Sequence, residues 1–418
     1  MRNISVARII FALIIIFLAS IYLPEFYWKI TKSEGRGTFV FYSPVKNDFL
    51  LLSSDVHGVK YFDRDEKEYT REEFESALPL FYYRQLVVSG KMPDSLHGHA
   101  MDPKELQLNS LYLKIKPADI NLNTIQLFPL FESQSGRVNL ELPPDYFRIT
   151  DRMEFITAIN NTVDEEKSRI FTEALNKAGF SFPAKKIYGN PSTRKAFDEG
   201  YFVIDNKNEV FHIKMVKDEP VCIKTGIPDD LDIVFMLVQE MELREFYGII
   251  ITGNSDVYLI SYDNYKLIKL PMEDYNYSKC MFTLRGDLLY RSISIYDEDS
   301  NLKTIVTDRD YKVIDKYEEE SSESEAEEFA DKAASFIFPF EIAVEHYSTP
   351  MIDLYFDTHG FQFIFLSIVL MGVTFFFLKK KKASVRSSIV YYLLVLLTGI
   401  YGFIAVLCIR DFDSGSNI

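Results

Sequence analysis

Two histidines and an aspartate that lie close together in the sequence are its clearest candidates for a chemical role. His97 and His99 flank a glycine, and Asp102 follows three residues later. Imidazole nitrogens and carboxylate oxygens are common ligands of zinc and copper, so all three side chains are candidate metal ligands. They supply at most three ligands without a fixed geometry. A polar loop with no metal is therefore the competing interpretation.

The rest of the sequence has none of the short motifs that accompany well-known catalytic chemistry. It contains no G-x-S-x-G, H-E-x-x-H, P-loop, dinucleotide-binding G-x-G-x-x-G or C-x-x-C pattern. The carboxylates are numerous and scattered, so spacing alone does not select a glycosidase-type pair. We therefore expect no cofactor, and the sequence favours a function without catalysis.

Charge and composition exclude one large class of partners. The chain has 418 residues and a formal net charge of -15, whereas nucleic-acid binding depends on clustered lysine and arginine. Phenylalanine and tyrosine number 35 and 26, which favours β-structure. With only three cysteines the core must be stabilised by packing. We predict that Cys222 and Cys280 are free thiols.

Three apolar segments predict membrane spans. The first, residues 1–28, contains the run Ile9 to Leu23 and ends in aromatic residues typical of a membrane interface. It lacks a small-residue cleavage site, so we expect an uncleaved anchor, with a signal peptide as the alternative. The second and third, residues 360–378 and 389–409, are uncharged and long enough to cross a bilayer.

Basic residues beside these segments predict the orientation of the chain. Short loops rich in lysine and arginine remain in the cytoplasm. We therefore expect a cytoplasmic N-terminus, a cytoplasmic loop at 379–388, and an outside location for residues 29–317 and for the tail at 410–418. Between residues 318 and 359 we expect an acidic linker, either solvated chain or a helix, and a juxtamembrane segment. The orienting residues are Arg2, Arg8, Lys379, Lys380, Lys381, Lys382 and Arg386.

An internal repeat suggests the architecture of the large domain. Residues 201–214 align with residues 248–261 at an offset of 47, and the same offset places residues 233–237 over residues 280–284. A partial third copy relates Tyr265 to Tyr311. Four short strands per repeat are typical of a β-propeller, so we predict a mainly β, propeller-like domain with four-stranded repeats. Two antiparallel meanders in a sandwich are the alternative.

Several phrases resemble a known family. They are FVFYSPVKNDFLLL at 39–52, ELPPDYFRITDRMEFI at 141–156, and the paired C-terminal spans around KKKK. The chain resembles a family of uncharacterised bacterial envelope proteins, defined only as a domain of unknown function. The resemblance implies a multi-pass protein of the inner (cytoplasmic) membrane with a periplasmic domain, associated with ABC-type exporter components. It transfers no functional residues.

Two functions remain as hypotheses. The first is a non-catalytic accessory or scaffold subunit whose partners are the lipid bilayer and other membrane proteins, with no nucleic acid. Gly399 and Gly402 would then allow close helix packing. The second is a membrane-tethered hydrolase that acts on envelope polymers through carboxylates in the propeller channel.

Overall fold

The computed structural model forms two compact units. One comprises Met1–Thr38, Ser53–Val59 and Ser322–Ile418, and the other comprises Phe39–Leu52 and Lys60–Ser321. The structure describes residues 6–31, 37–55, 58–121, 125–136, 140–195, 197–298, 301–320, 325–346, 352–357, 361–380 and 388–414.

Short strands dominate the middle of the chain, and the longest helices lie at its two ends. The helices are α1 (Val6–Thr31), α2 (Arg71–Ala77), α3 (Tyr83–Val88), α4 (Pro103–Asn109), α5 (Pro117–Ile120), α6 (Glu165–Ala178), α7 (Glu325–Ile337), α8 (Phe363–Lys380) and α9 (Ile389–Ser414). The first strands are β1 (Gly37–Ser43), β2 (Asp48–Asp55), β3 (Gly58–Asp63), β4 (Ser95–Leu96), β5 (His99–Ala100), β6 (Leu111–Ile115), β7 (Asp145–Ile149), β8 (Met153–Thr157), β9 (Val163–Asp164), β10 (Lys186–Gly189) and β11 (Tyr201–Ile204). The remaining strands are β12 (Val210–Val216), β13 (Glu219–Lys224), β14 (Ile233–Val238), β15 (Phe246–Thr252), β16 (Val257–Ser261), β17 (Leu267–Lys269), β18 (Met281–Gly286), β19 (Arg291–Tyr296), β20 (Leu302–Thr307), β21 (Val313–Glu319), β22 (Glu341–His346) and β23 (Ile352–Asp357).

The sequence repeat corresponds to consecutive antiparallel meanders. Strands β10 to β13 form one four-stranded sheet and β14 to β17 form the next. Strands β18 to β21 form a third meander, and β6 joins its β18 edge to make five strands. Tyr265 and Tyr311 precede the last strand of their respective sheets, as the partial third copy predicted. Among the described strands no sheet closes on itself, and no propeller ring is shown.

These sheets are covered by apolar side chains on both faces. In β11, Tyr201 and Val203 face a cluster that includes Phe147 and Phe171, whereas Phe202 packs with residues of the following sheet. All seven residues of β15 are buried for the same reason. Strands enclosed on both sides need no polar alternation, because neither face contacts water.

Local signals set the ends of the short helices as the sequence predicts. Thr70 and Glu73 form a capping box at the start of α2, and Asp102 caps α4 before Pro103. Gly179 ends α6 with a φ of 89°, a left-handed conformation that glycine adopts readily.

The other unit contains the apolar helices. Two of them, Arg8–Thr31 and Ile389–Ile409, are long and apolar enough to cross a membrane by length and composition, and Phe363–Lys379 is shorter. Ala12 and Ile16 of α1 lie in one buried cluster with Tyr401 and Ala405 of α9. Many side chains of α1 that remain exposed are large and apolar, although Glu25 and Lys29 near its end are exposed as well.

The acidic segment, for which a linker or a helix is expected, contains a helix and a pair of strands. It contains α7 and the antiparallel pair β22 and β23. Tyr27 of α1 donates a hydrogen bond to the carbonyl oxygen of Ala330 (2.7 Å), and the indole nitrogen of Trp28 donates to Glu341 Oε2 (2.9 Å). Parts of this segment are therefore tied to the first apolar helix.

Candidate functional site

The β-rich unit has a surface cavity of about 480 Å³ at one end of the five-stranded sheet. Its volume lies within the range of roughly 300–1,000 Å³ that is usual for small-molecule sites. The walls come from β1, from the segment around α2 and α3, from the start of β6, and from the turn between β18 and β19. The lining residues are Val40, Phe41, Tyr42, Pro44, Leu78, Leu80, Phe81, Tyr83, Arg84, Ser110, Leu111, Tyr112, Arg285, Gly286, Asp287 and Ser292.

Strand β18 places Arg285 in this cavity. Phe282 and Leu284 belong to the core between sheets, and side chains alternate along a strand, so Arg285 points to the opposite face. Its guanidinium carbon lies 5.0 Å from the ring centre of Phe41, 5.1 Å from that of Phe81 and 5.8 Å from that of Tyr112. The cation is therefore surrounded by aromatic rings.

Arg285 has no carboxylate partner among the described residues. Burial lowers its pKa below the ordinary arginine value, against the smaller opposing influences of Tyr112, Tyr296, Tyr82 and Asp287. Arginine nevertheless stays charged in proteins. Removing one ion from water costs several kcal/mol, whereas a cation–π contact returns about 0.5–2 kcal/mol, so the rings offset only part of that cost.

Two further polar groups line the same cavity. Arg84 is exposed, and its Nε donates to the hydroxyl of Tyr83 at 3.0 Å. Asp287 Oδ1 accepts the backbone N–H groups of Leu289 (2.8 Å) and Tyr290 (2.7 Å), which fixes the turn between β18 and β19. Burial raises the pKa of Asp287. The cavity thus has two guanidinium groups and one carboxylate, and that carboxylate accepts hydrogen bonds from the backbone of its own turn.

A second polar cluster in this unit is sealed from solvent. Lys195 Nζ contacts Asp198 Oδ1 at 2.5 Å and Glu240 Oε1 at 2.7 Å, and the exposed fractions of these side chains are 2%, 0% and 0%. Asn190 supplies an amide donor to Glu240 Oε2 (2.8 Å) and a carbonyl acceptor to Lys195 (2.7 Å). Burial raises the pKa of Asp198 to about 6. These mutual contacts indicate a structural network that joins two loops.

His212 lies close to that network and is neutral. Its ring stacks on Phe202 with 4.4 Å between ring centres. One nitrogen lies 2.9 Å from the hydroxyl of Tyr265, and the other contacts the carbonyl oxygen of Glu199. Burial lowers the pKa of His212 to about 3. A fully buried neutral imidazole with both nitrogens partnered stabilises the packing of two sheets.

The predicted metal ligands have other contacts. His97 Nε2 lies 2.7 Å from the carbonyl oxygen of Pro44, Asp102 accepts the backbone N–H of Lys104 as a helix cap, and His99 is exposed. Within the described residues, no group of three or more His, Cys, Asp or Glu side chains is arranged to hold a metal ion. A metal site at these residues stays a prediction.

The two glycines proposed for helix packing lie at a break in α9. Gly399 has a non-helical conformation with a φ of 54°, and a Cβ there would approach Ser367 Oγ to 3.2 Å. A Cβ on Gly402 would lie 2.5 Å from Thr398 Oγ1, within the same helix. Gly402 is thus required by the local path of α9. Packing of either glycine against another protein stays a prediction.

The residues predicted to orient the chain are only partly described. Arg8 and Lys379 belong to α1 and α8, and Lys379 Nζ lies 5.9 Å from the ring centre of Phe375. Arg2, Lys381, Lys382 and Arg386 lie outside the described residues, as does the side chain of Lys380. The three cysteines are free, which confirms the prediction for Cys222 and Cys280.

Sequence reasoning missed the Arg285 cavity. The alternation of Phe282, Leu284 and their neighbours could have shown that Arg285 lies opposite a buried face. Nothing in the sequence indicates that Phe41 and Phe81, both more than 200 positions away, would surround it. That information comes from the packing of β1 and α3 on the third meander.

The structure defines a β-rich domain of stacked antiparallel sheets in a chain that also carries long apolar helices. Residues 39–307 match the family described as Domain of unknown function (DUF4857), and the chain belongs to that family. This range covers well over half of the chain and includes every residue that lines the Arg285 cavity. No curated protein matches the sequence.

Proposed function

We propose that this protein is a membrane-anchored binding protein whose β-rich domain takes up a small molecule in the Arg285 cavity. The observation that carries the proposal is the guanidinium of Arg285, which lies among three aromatic rings without a carboxylate partner in the described structure. An apolar cavity with a few convergent polar groups is the usual form of a ligand site. Aromatic walls and a fixed cation are suited to binding a ligand rather than to catalysis.

The competing hydrolase hypothesis requires carboxylates that a polymer can reach. One pair bridged by a single cation, Asp198 and Glu240, is fully buried and is held by Lys195. A polymer cannot reach that pair, so it gives no support to hydrolysis.

The finer architecture belongs to the same proposal. Successive meanders that pack face to face are consistent with propeller blades, so we propose a propeller-like domain. The apolar helices would span the inner membrane of a bacterial envelope, with the β-rich domain in the periplasm. Contacts between α1 and α9 support a retained first helix. The proposed partners are other membrane proteins, including ABC-type transporter components, for which this protein acts as an accessory subunit.

Orientation can be tested with reporter fusions. Alkaline phosphatase fused after Ile418 should be active, because the basic loop at 379–388 keeps the preceding turn in the cytoplasm. The same enzyme fused after Lys382 should be inactive. Activity only in the second fusion would reverse the proposed orientation.

Binding can be tested by analysing small molecules that purify with the full-length protein. Ser292→Phe places a ring in the cavity, and Ser278→Phe adds the same ring at an exposed site elsewhere in the domain. Mass spectrometry after denaturation should find a bound molecule in the wild type and in Ser278→Phe, and none in Ser292→Phe. Equal recovery from both variants would remove the cavity from the proposal.

A further inference from the structure

The charge of the Arg285 cavity is opposite to that of the whole chain. The protein has a formal net charge of -15, yet the cavity contains Arg84 and Arg285 and a single carboxylate, Asp287. One oxygen of Asp287 is occupied by two backbone N–H groups of its own turn. A local excess of positive charge in an acidic protein selects for anions, because other surfaces repel them.

The donors of Arg285 determine which anions fit. A guanidinium presents its N–H groups in one plane, in a fork that matches the oxygens of a carboxylate or a phosphate. In the described structure these N–H groups make no ion pair. An oxyanion that reaches Arg285 therefore completes an arrangement that is already oriented.

The aromatic walls of the cavity determine which kind of group the rest of the ligand must be. Phe81 and Tyr112 are exposed at the cavity, with 46% and 55% of their surface accessible, and Phe41 is buried beside them. Exposed aromatic side chains are stabilised when an apolar group covers them, and they stack well on planar rings. A bare inorganic anion would leave these walls in contact with water.

We infer that the Arg285 cavity binds an oxyanion joined to an apolar body, with the carboxylate or phosphate on Arg285 and the body on Phe81 and Tyr112. This inference rests on the proposed binding function and specifies its ligand class. The same chemistry is present in a free aromatic acid and in the headgroup region of an anionic lipid. The two sources differ because a lipid has acyl chains that must extend out of the cavity, whereas a free aromatic acid has none.

The test compares charged and neutral forms of one probe on the full-length protein in detergent. 4-Phenylbutyrate and its uncharged amide have nearly the same size, and isothermal titration measures the affinity of each. We expect the wild type to bind the acid at least tenfold more tightly than the amide, since only the carboxylate is an anion whose two oxygens can pair with the guanidinium. Soluble dihexanoyl phosphatidate forms the lipid arm, and tighter binding than 4-phenylbutyrate would identify a lipid as the source.

Matched variants assign the effect to the cavity. Arg285→Met should remove the preference for the acid, Arg285→Lys should retain part of it, and Arg84→Met should weaken binding by a few fold. Arg194→Met removes an exposed arginine outside the cavity and should change nothing. Because Arg84 is exposed, its variant folds even if Arg285→Met does not.

The possible failures are distinguishable. Equal binding of acid and amide would overturn the anion inference and leave the binding function in place. Preference for the acid that survives both Arg285→Met and Arg84→Met would place the anion elsewhere. Absence of binding by every probe, together with no small molecule in the purified protein, would overturn both the anion inference and the proposed binding function.

Discussion

Two arginines on neighbouring strands of one sheet have opposite environments. Arg291 on β19 is fully buried, and its guanidinium pairs with both carboxylate oxygens of Glu245, with Nε at 3.0 Å from Oε1. Its remaining donors reach the carbonyl oxygens of Asp287 (2.6 Å) and Tyr290 (2.8 Å). Arg285 on β18, six positions earlier, has aromatic neighbours and no such acceptors in the described structure.

The pKa directions of the two arginines differ accordingly. Burial alone would lower the pKa of Arg291, but the hydrogen bonds and charge of Glu245 outweigh it and raise the pKa. For Arg285 burial is the dominant influence and the pKa is lowered. Arg291 is therefore a structural cation with a paired carboxylate. Arg285 has no ion pair in the described structure to offset the cost of its burial. The difference separates a residue that the fold needs from one that, in the proposed function, serves a ligand.

The largest expected effect comes from removing the paired cation. Arg291→Met leaves Glu245 partly buried without its partner, so the free energy of unfolding should fall by about 3–5 kcal/mol. Urea denaturation of the full-length protein measures this change. Arg194→Met is the control and should stay within about 0.5 kcal/mol of the wild type.

A double variant shows whether pairing is the cause. Glu245→Leu combined with Arg291→Met removes both charges, so it should be more stable than Arg291→Met alone. A double variant that is less stable than either single variant would mean that packing, rather than charge pairing, explains Arg291.

The comparison extends to His212, a buried base that avoids charge altogether. Its pKa is about 3 in the native protein because of burial, whereas the ordinary value is 6.5. Between these values the unfolded chain binds a proton that the native protein excludes, so stability is full above pH 6.5 and is lost as the pH falls. From pH 7 to pH 5 this group should cost about 2 kcal/mol of unfolding free energy.

His212→Gln keeps polar contacts and does not titrate, which isolates this contribution. Unfolding measured at pH 7 and pH 5 should show a smaller decrease in the variant than in the wild type. The difference between the two proteins is the relevant quantity, because Asp198 and other carboxylates titrate in both. Identical decreases would show that His212 titrates in the native protein as it does in the unfolded chain.

Much of the fold could be predicted because its signals are local. The offset of 47 residues identified the meanders around β11 and β15, since strand and turn patterns recur within one repeat. Helix caps at Thr70 and Asp102 were equally local. Closure into a propeller depends on how separate sheets pack, which short-range patterns do not specify, and no ring is shown.

The candidate site could not be predicted for the same physical reason. The metal hypothesis selected His97, His99 and Asp102 because they are adjacent in sequence, yet the observed partners of His97 and Asp102 are a carbonyl oxygen and a helix N-terminus. The cavity instead combines β1, α3 and β18, which are distant in sequence. Chemistry that depends on long-range packing leaves little trace in residue spacing.

The smallest expected effect is also the most direct test of the central claim that Arg285 serves binding rather than folding. The measurement is the unfolding free energy of Arg285→Met without ligand, under the conditions used for Arg291→Met. Because Arg285 gives up no ion pair and its burial is only partly offset by the rings, the account predicts a loss of no more than about 1 kcal/mol, or a gain in stability. A loss of about 3 kcal/mol or more, as expected for Arg291→Met, would contradict the account and make Arg285 a second structural cation.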